Sequence, residues 1–373
     1  MKCFSKSENN EVDGVDWMID VFGNLSLNDS LKNWQNFNQK FELVKELHSS
    51  PNSWVYLVSM QTANSQADNG VLFNSNKQGA VKVVSGPTFN YLLDKEYRIL
   101  KGLDHPNILK PLEFKQGELC DNRNISYMWI PYYKNGELNE LVKSRNGLGE
   151  LDSLAYFFQI ASAVEYLHEL NITHRDIKLE NILLDDTMNT QLIDFGFSYK
   201  YETEFERDSG KRIMSDYIEN QLIGSLNYMA PELIDSMKRY NSDGPISENS
   251  DYYWEKIEKY KMWDIFALGV ALFTMVIGIP PFVSATKDDI NYRNFFLSKK
   301  RAGESRFWTR HPATKTLLDK GELSTEFMYL VEDMLNPKPE ERIRINSVMN
   351  HPWIQKNLFS SIIELKRGNS DSQ

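Results

Sequence analysis

His174 to Gly196 reads HRDIKLENILLDDTMNTQLIDFG. An acid, a cation and an amide stand at fixed spacing in its first half, Asp176, Lys178 and Asn181, and a second acid, Asp194, precedes Phe-Gly at its end. Ile182-Leu183-Leu184 reads as a strand, Asp185-Asp186 as a turn, and Gln191-Leu192-Ile193 as the returning strand. A hairpin of that length brings its two ends together, so two carboxylates and an amide oxygen converge on one small volume. Hard oxygen ligands so gathered suit magnesium and a polyphosphate.

The rest of the chain bounds that reading. At 373 residues it exceeds a usual single domain, which predicts two lobes or two domains. A hydrophobic content of 41% supports a globular core. The net charge of −10, with no basic run, argues against a nucleic-acid surface, while an acidic chain can still favour basic substrates. Cys3 and Cys120 are the only cysteines, which excludes a disulfide framework and a thiolate metal cluster. The start, MKCFSKSENN, shows no apolar signal core and no Gly at position 2. The best apolar run, Ile265 to Pro281, reads as too short to span a membrane and ends in Pro-Pro. These features predict a soluble, cytoplasmic chain with no membrane contact, nuclear access being left open.

HRDIKLEN resembles the catalytic loop of protein kinases, and Asp194-Phe-Gly resembles their metal-binding motif. Further motifs follow in order from Phe41 to Ile354 and extend the resemblance to eukaryotic serine/threonine protein kinases. The ending His351-Pro-Trp353-Ile is common in the calcium/calmodulin-dependent kinase-like group. The resemblance implies an α+β, bilobal protein kinase fold over residues 41–354. Its small β-rich N-lobe with one helix would cover 41–130, the hinge 131–136 and the larger helical C-lobe 137–354. An N-terminal extension, 1–40, and a polar tail, 355–373, flank it. There is no GxxxxGK[ST], which excludes a P-loop phosphotransferase.

Residue by residue, the resemblance implies an ATP- and Mg2+-dependent transfer of phosphate to Ser/Thr hydroxyls of proteins. Lys82, in Gly79-Ala80-Val81-Lys82-Val83-Val84, would hold the α- and β-phosphates and be held by Glu96. Read alone, that lysine is an edge-strand cation facing water. Asn181 and Asp194 would bind the metal ions. Asp176 would accept the substrate proton, Lys178 would neutralise the transferred phosphoryl, and Ser225 would bridge Lys178 and Asp176. Leu47, Val55, Ala80 and Leu183 would enclose the adenine, with Ile130 as gatekeeper and Pro131, Tyr132 and Tyr133 as the hinge. Glu137 would contact substrate arginine or the ribose, or else simply start a solvent-facing helix. Glu180 also matches an arginine-reading acid, whereas Thr274 stands where strongly arginine-directed members carry another, so a modest basic preference is expected. Glu232, in Ala-Pro-Glu, would pair with Arg342, and Asp264 would anchor the backbone at His174-Arg175. His168 reads as a capping or surface histidine.

The departures are as informative. Aligned on Val55, the three glycine positions of the phosphate-covering loop hold His48, Ser50 and Ser53, with Pro51 between them. Side chains there limit how closely a backbone approaches phosphate, and proline removes an amide donor. A pseudokinase, a scaffold or allosteric partner, and a kinase of small molecules are therefore the competing readings. Arg175 would normally hold a phosphate on the activation segment, but Gln221 occupies the usual acceptor position, so activity independent of phosphorylation there is expected. Trp17, Met18, Val21, Phe22 and Leu25 fall on one helical face in the extension. That face reads as packing on the chain's own domain, or as a docking or autoinhibitory segment. An Asn-, Ser- and Tyr-rich insertion spans 240–261. It and residues 1–40 are the places expected to meet a regulatory partner.

Overall fold

The computed structural model describes residues 41–50, 52–60, 78–120, 123–201, 225–243, 250–296 and 306–356. The expectations for 1–40, the 61–77 loop, Gln221 and the tail beyond 356 lie outside them. Five antiparallel strands, β1 Phe41–Ser50, β2 Ser53–Met60, β3 Gln78–Ser85, β4 Glu113–Cys120 and β5 Arg123–Pro131, form one sheet in the order β1-β2-β3-β5-β4. Side chains alternate across it with period two. Ala80, Val84, Met128 and Ile130 join the main core, and Val81, Val83, Tyr127 and Trp129 form a small second core. Lys82 falls between Val81 and Val83 and therefore points to the face of Ala80 and Val84.

Helix α1, Pro87–Lys101, crosses that face. Pro87 opens it at a position where a missing amide costs nothing, and Gly102 closes it. The helix begins eight residues before the Lys95 read from sequence. Its buried residues Leu93, Glu96 and Leu100 recur at three- and four-residue spacing, which turns the Glu96 carboxylate toward the sheet.

The helical lobe follows: α2 Leu138–Arg145, α3 Gly149–Glu169, α4 Pro231–Asp243, α5 Ser250–Ile277, α6 Ile290–Phe296, α7 Arg306–Arg310, α8 Thr314–Asp319, α9 Thr325–Met334 and α10 Ile345–Met349. Helix α5 is its axis. Gly269 lets α9 approach closely, since a Cβ there would stand 2.8 Å from Met334 Cβ. Contrary to the sequence reading, Ile257–Ile277 within α5 is long and apolar enough to cross a membrane, but 94% of it is buried inside the lobe. Surrounding helices, rather than lipid, satisfy its apolar surface. The 240–261 insertion is helical at both ends, through Asp243 in α4 and from Ser250 in α5.

Two long-range devices lock the lobe. Arg342, 3% exposed, donates to both Glu232 oxygens at 2.8 and 3.0 Å and to the Met262 carbonyl at 2.7 Å, which realises the expected pair. Glu150 accepts from Ser324 Oγ at 2.6 Å and from Trp353 Nε1 at 2.8 Å, joining α3 to the start of α9 and to Trp353 beyond α10.

Candidate active site

Strands β7 Ile182–Leu184 and β8 Thr190–Leu192 pair in the expected hairpin, with the returning strand one residue earlier than its sequence assignment. Asp185 Oδ1 accepts from the Thr187 and Asn189 amides at 2.8 and 2.9 Å, and these bonds build the turn. The two ends of the hairpin meet, since Ile193 N donates to the Asn181 carbonyl at 2.9 Å. Catalytic-loop and Asp-Phe-Gly residues thereby share one volume.

Asp264 aligns the loop from beneath. Its Oδ2 accepts from His174 N at 2.9 Å and its Oδ1 from Arg175 N at 2.7 Å. His168 corrects the sequence reading. It is 5% exposed and bonds Asp264 Oδ2 through Nε2 at 3.0 Å, so it buttresses the anchor instead of facing solvent. The His174 ring bonds the Ile193 carbonyl through Nε2 and stands edge-on to Phe195, with centroids 4.7 Å apart.

Above this floor, Lys82 Nζ donates to Glu96 Oε2 at 2.8 Å and to Asp194 Oδ1 at 2.9 Å. One cation thus faces two acids. Burial would lower the lysine, but Asp194 and Glu96 outweigh it and hold the ammonium above the usual lysine range. Lys82 in turn holds Asp194 down to about 2, while deeper burial pushes Glu96 up. Asp194 sits in the left-handed region at φ 63, and the next amide, Phe195 N, donates to Glu96 Oε1 at 3.3 Å.

Lys178 Nζ donates to Asp176 Oδ2 directly at 2.7 Å. Ser225 lines the cavity beside Asp176 with Tyr228 and Trp263. Asn181 Nδ2 donates to the Asp176 carbonyl and to Asp176 Oδ2, both at 2.8 Å, which turns the amide oxygen away from that pair. Burial raises the Asp176 carboxyl, and Lys178 opposes the rise. Among the described residues no three His, Cys, Asp or Glu side chains form a complete metal cage. Two oxygen donors, Asn181 and Asp194, fit a cation whose remaining ligands are phosphate oxygens and water.

The residues expected to wall the cleft differ in burial. Ala80 is buried, Val55 and Leu183 are half-buried, and Ile130 is 9% exposed behind them. Leu47 is 38% exposed, at a register shift in β1 that leaves it without a cross-strand partner. Tyr132 and Tyr133 are half-buried, and burial raises the Tyr133 phenol. The loop read as 48–53 is a tighter turn, because the strands run to Ser50 and resume at Ser53. Ser85 N donates to the Asn52 carbonyl at 3.2 Å and ties the tip to β3. Glu137 bridges Leu183 by its backbone, and burial and nearby Glu180 raise its carboxyl. Glu180 Oε2 is buried without a hydrogen-bond partner among the described residues. Thr274 is 7% exposed and spends its hydroxyl on the Val270 carbonyl, away from the surface.

Sequence reasoning missed Tyr199 and Tyr260, whose adjoining rings meet the Arg175 guanidinium. A signal existed for one of them. Tyr260 stands four residues before Asp264, on the same helical face.

The protein kinase domain family matches residues 63–354, and the chain belongs to that family. Strands β1 and β2, which precede the matched residues, pair within the same sheet. The chain is 32% identical over 263 residues to the testis-specific serine/threonine-protein kinase 1 of Mus musculus, covering 70% of this chain and 60% of that protein. It is 29% identical over 271 residues to an Aurora kinase of Eremothecium gossypii, 72% of this chain and 59% of the relative. It is also 29% identical over 286 residues to calcium-dependent protein kinase 5 of Plasmodium berghei, 74% and 41%. The chain thus spans three-fifths or less of the length of these curated relatives.

Proposed function

We propose that the chain is a serine/threonine protein kinase that transfers the γ-phosphate of ATP to protein hydroxyls. One observation carries this reading. Lys82, Glu96, Asp176, Lys178, Asn181 and Asp194 are all present and converge through direct bonds of 2.7–2.9 Å: Lys82 with Glu96 and Asp194, Lys178 and Asn181 with Asp176. Lys82 would hold the α- and β-phosphates of ATP. Asn181 and Asp194 would hold magnesium, which when bound neutralises the charge between the phosphates. Asp176 orients the acceptor hydroxyl and takes its proton, and Lys178 stabilises charge on the transferring group. The cytoplasm, and a Ser225 bridge between Lys178 and Asp176, belong to the same reading.

The paired acids Glu137 and Glu180 support a preference for basic residues near the acceptor. Burial makes an unpartnered carboxylate oxygen costly, and an arginine fork would relieve that cost. Thr274 adds no charge, so the preference is modest. A peptide library phosphorylated without enrichment of Arg or Lys removes this claim.

A second reading has its own observation: side chains at His48, Ser50 and Ser53 suit a pseudokinase acting as a scaffold. A thermal shift with ATP and Mg2+ separates the two, since a scaffold of that kind gives none. The direct test is phosphate transfer from labelled ATP by the wild type and by Asp176→Ala. A loss of about 10²–10⁴-fold is expected for a positioned acid–base group. Equal turnover refutes the assignment.

A further inference from the structure

Arg175 adopts φ 65, a left-handed backbone conformation that a side-chain-bearing residue holds only when its surroundings enforce it. One enforcing contact is the Asp264 carboxylate on its amide at 2.7 Å. The other acts on the side chain. Arg175 Nε donates to the Phe197 carbonyl at 2.6 Å. Its guanidinium carbon lies 4.8 Å from the Tyr260 ring centre and 5.7 Å from that of Tyr199. The two rings meet edge-to-face at 5.3 Å, and Tyr260 tilts against Trp263 at 4.4 Å. Arg175 is 5% and Tyr260 6% exposed, so the cation meets these π faces largely out of water, where such contacts are strongest.

The rings come from two different elements and meet Arg175 side by side. Tyr199 lies in β9, Tyr199–Lys200, which pairs with β6, Ile172–Thr173, and places Tyr199 beside Thr173 immediately before the loop. Tyr260 lies in the segment read from sequence as an insertion, one helical turn before Asp264. Helix α5 therefore grips Arg175 twice, by carboxylate on the backbone and by aromatic face on the side chain.

We propose that Tyr260, with Tyr199, is a positioning residue for phosphoryl transfer: the aromatic pair clamps Arg175 in its left-handed conformation and so fixes the adjoining Asp176. This rests on the kinase reading for its effect on rate, but its effect on the loop can be measured without activity. The clamp belongs to the fold itself, and it gives the 240–261 segment a role within the catalytic domain.

The test compares Tyr260→Phe, which keeps the π face, with Tyr260→Leu, which keeps apolar bulk without it; Tyr199→Leu is the partner control. In the full chain, the Leu variants should lose roughly tenfold in kcat, the scale of one desolvated cation–π contact, with KM for ATP unchanged. Tyr260→Phe should retain the wild-type rate. Amide hydrogen exchange at Arg175 and Asp176 should quicken by about the same factor in the Leu variants and not in Phe. Equal kcat and equal exchange in Phe and Leu overturn the proposal. So does a Leu variant in which KM for ATP rises as much as kcat falls. If the wild type transfers no phosphate, the kinase reading fails, and the exchange comparison still decides the clamp. If Leu does not fold, Tyr260→Met replaces it, judged by the same exchange measurement.

Discussion

Lys82 and Asp194 lie 112 positions apart in the chain, and their charged ends meet at 2.9 Å. The same ammonium reaches Glu96 at 2.8 Å, so one lysine compensates two acids, one of them almost wholly buried. Lys82→Met should abolish phosphate transfer. It should also destabilise the fold by about 3–5 kcal/mol, because it leaves Glu96 buried without its countercharge. Adding Glu96→Gln should recover much of that stability and none of the activity. Thermal unfolding and a transfer assay on both variants separate the structural from the catalytic share.

Asp176 is raised by burial and held back by Lys178. The base must be ionised, so activity is present above its pKa and lost as pH falls through it. Lys178→Ala removes the opposing charge, and the acid limb of the kcat profile should move to higher pH. The variant should lose rate at every pH, roughly 10²-fold where the limb is flat. A profile of unchanged midpoint counts against the coupling.

Serines and a histidine replace the glycines over the cleft, and Ser85 N holds the turn at Asn52. The combined variant His48→Gly, Ser50→Gly, Ser53→Gly should let the backbone approach phosphate more closely. Its KM for ATP should fall by about 3- to 10-fold, on the scale of one hydrogen bond. The accompanying loss of strand stability should be roughly 0.5–1 kcal/mol per glycine. Steady-state kinetics at varied ATP measure the first effect and denaturant unfolding the second.

Glu332 is pushed up to about 7, chiefly by burial, against the hydrogen bond it accepts from Trp308 Nε1 at 2.7 Å. A carboxyl raised on folding favours the folded state in its neutral form. That contribution is complete below the ordinary glutamate range and is lost as pH rises through about 7. Glu332→Gln keeps an acceptor for Trp308 and removes the titration. It should raise Tm at pH 8 by roughly 1–2 °C, for about 1 kcal/mol after allowing for partial exposure, and change nothing near pH 4. Calorimetry at the two pH values checks it.

Arg342 spends its guanidinium on Glu232 and two carbonyls while stacking over Phe266 at 5.0 Å. Arg342→Ala leaves the Glu232 carboxylate and the Met262 carbonyl without it, and a cost of about 3–5 kcal/mol in urea unfolding is expected.

What the sequence determined by itself was chemistry at short range. Asp176, Lys178 and Asn181 stand within six residues, and Asp194 is returned to them by a hairpin whose strands and turn are local. Their convergence was therefore legible from order and spacing. The partner of Lys82 was legible only through the motif series, because read alone that lysine is an edge-strand cation facing water. Tertiary structure decided what depends on which faces meet. His168 looks like any histidine near a helix end, and only the crossing of α3 with α5 buries it on Asp264. The apolar length of Ile257–Ile277 reads alike for a core axis and a membrane span until neighbouring helices cover it. Tyr260 sat in a polar, tyrosine-rich segment, and its four-residue spacing from Asp264 was the one local sign that it mattered. It reaches Arg175 because α5 continues unbroken through it, so one helical turn places ring and anchoring carboxylate against the same loop.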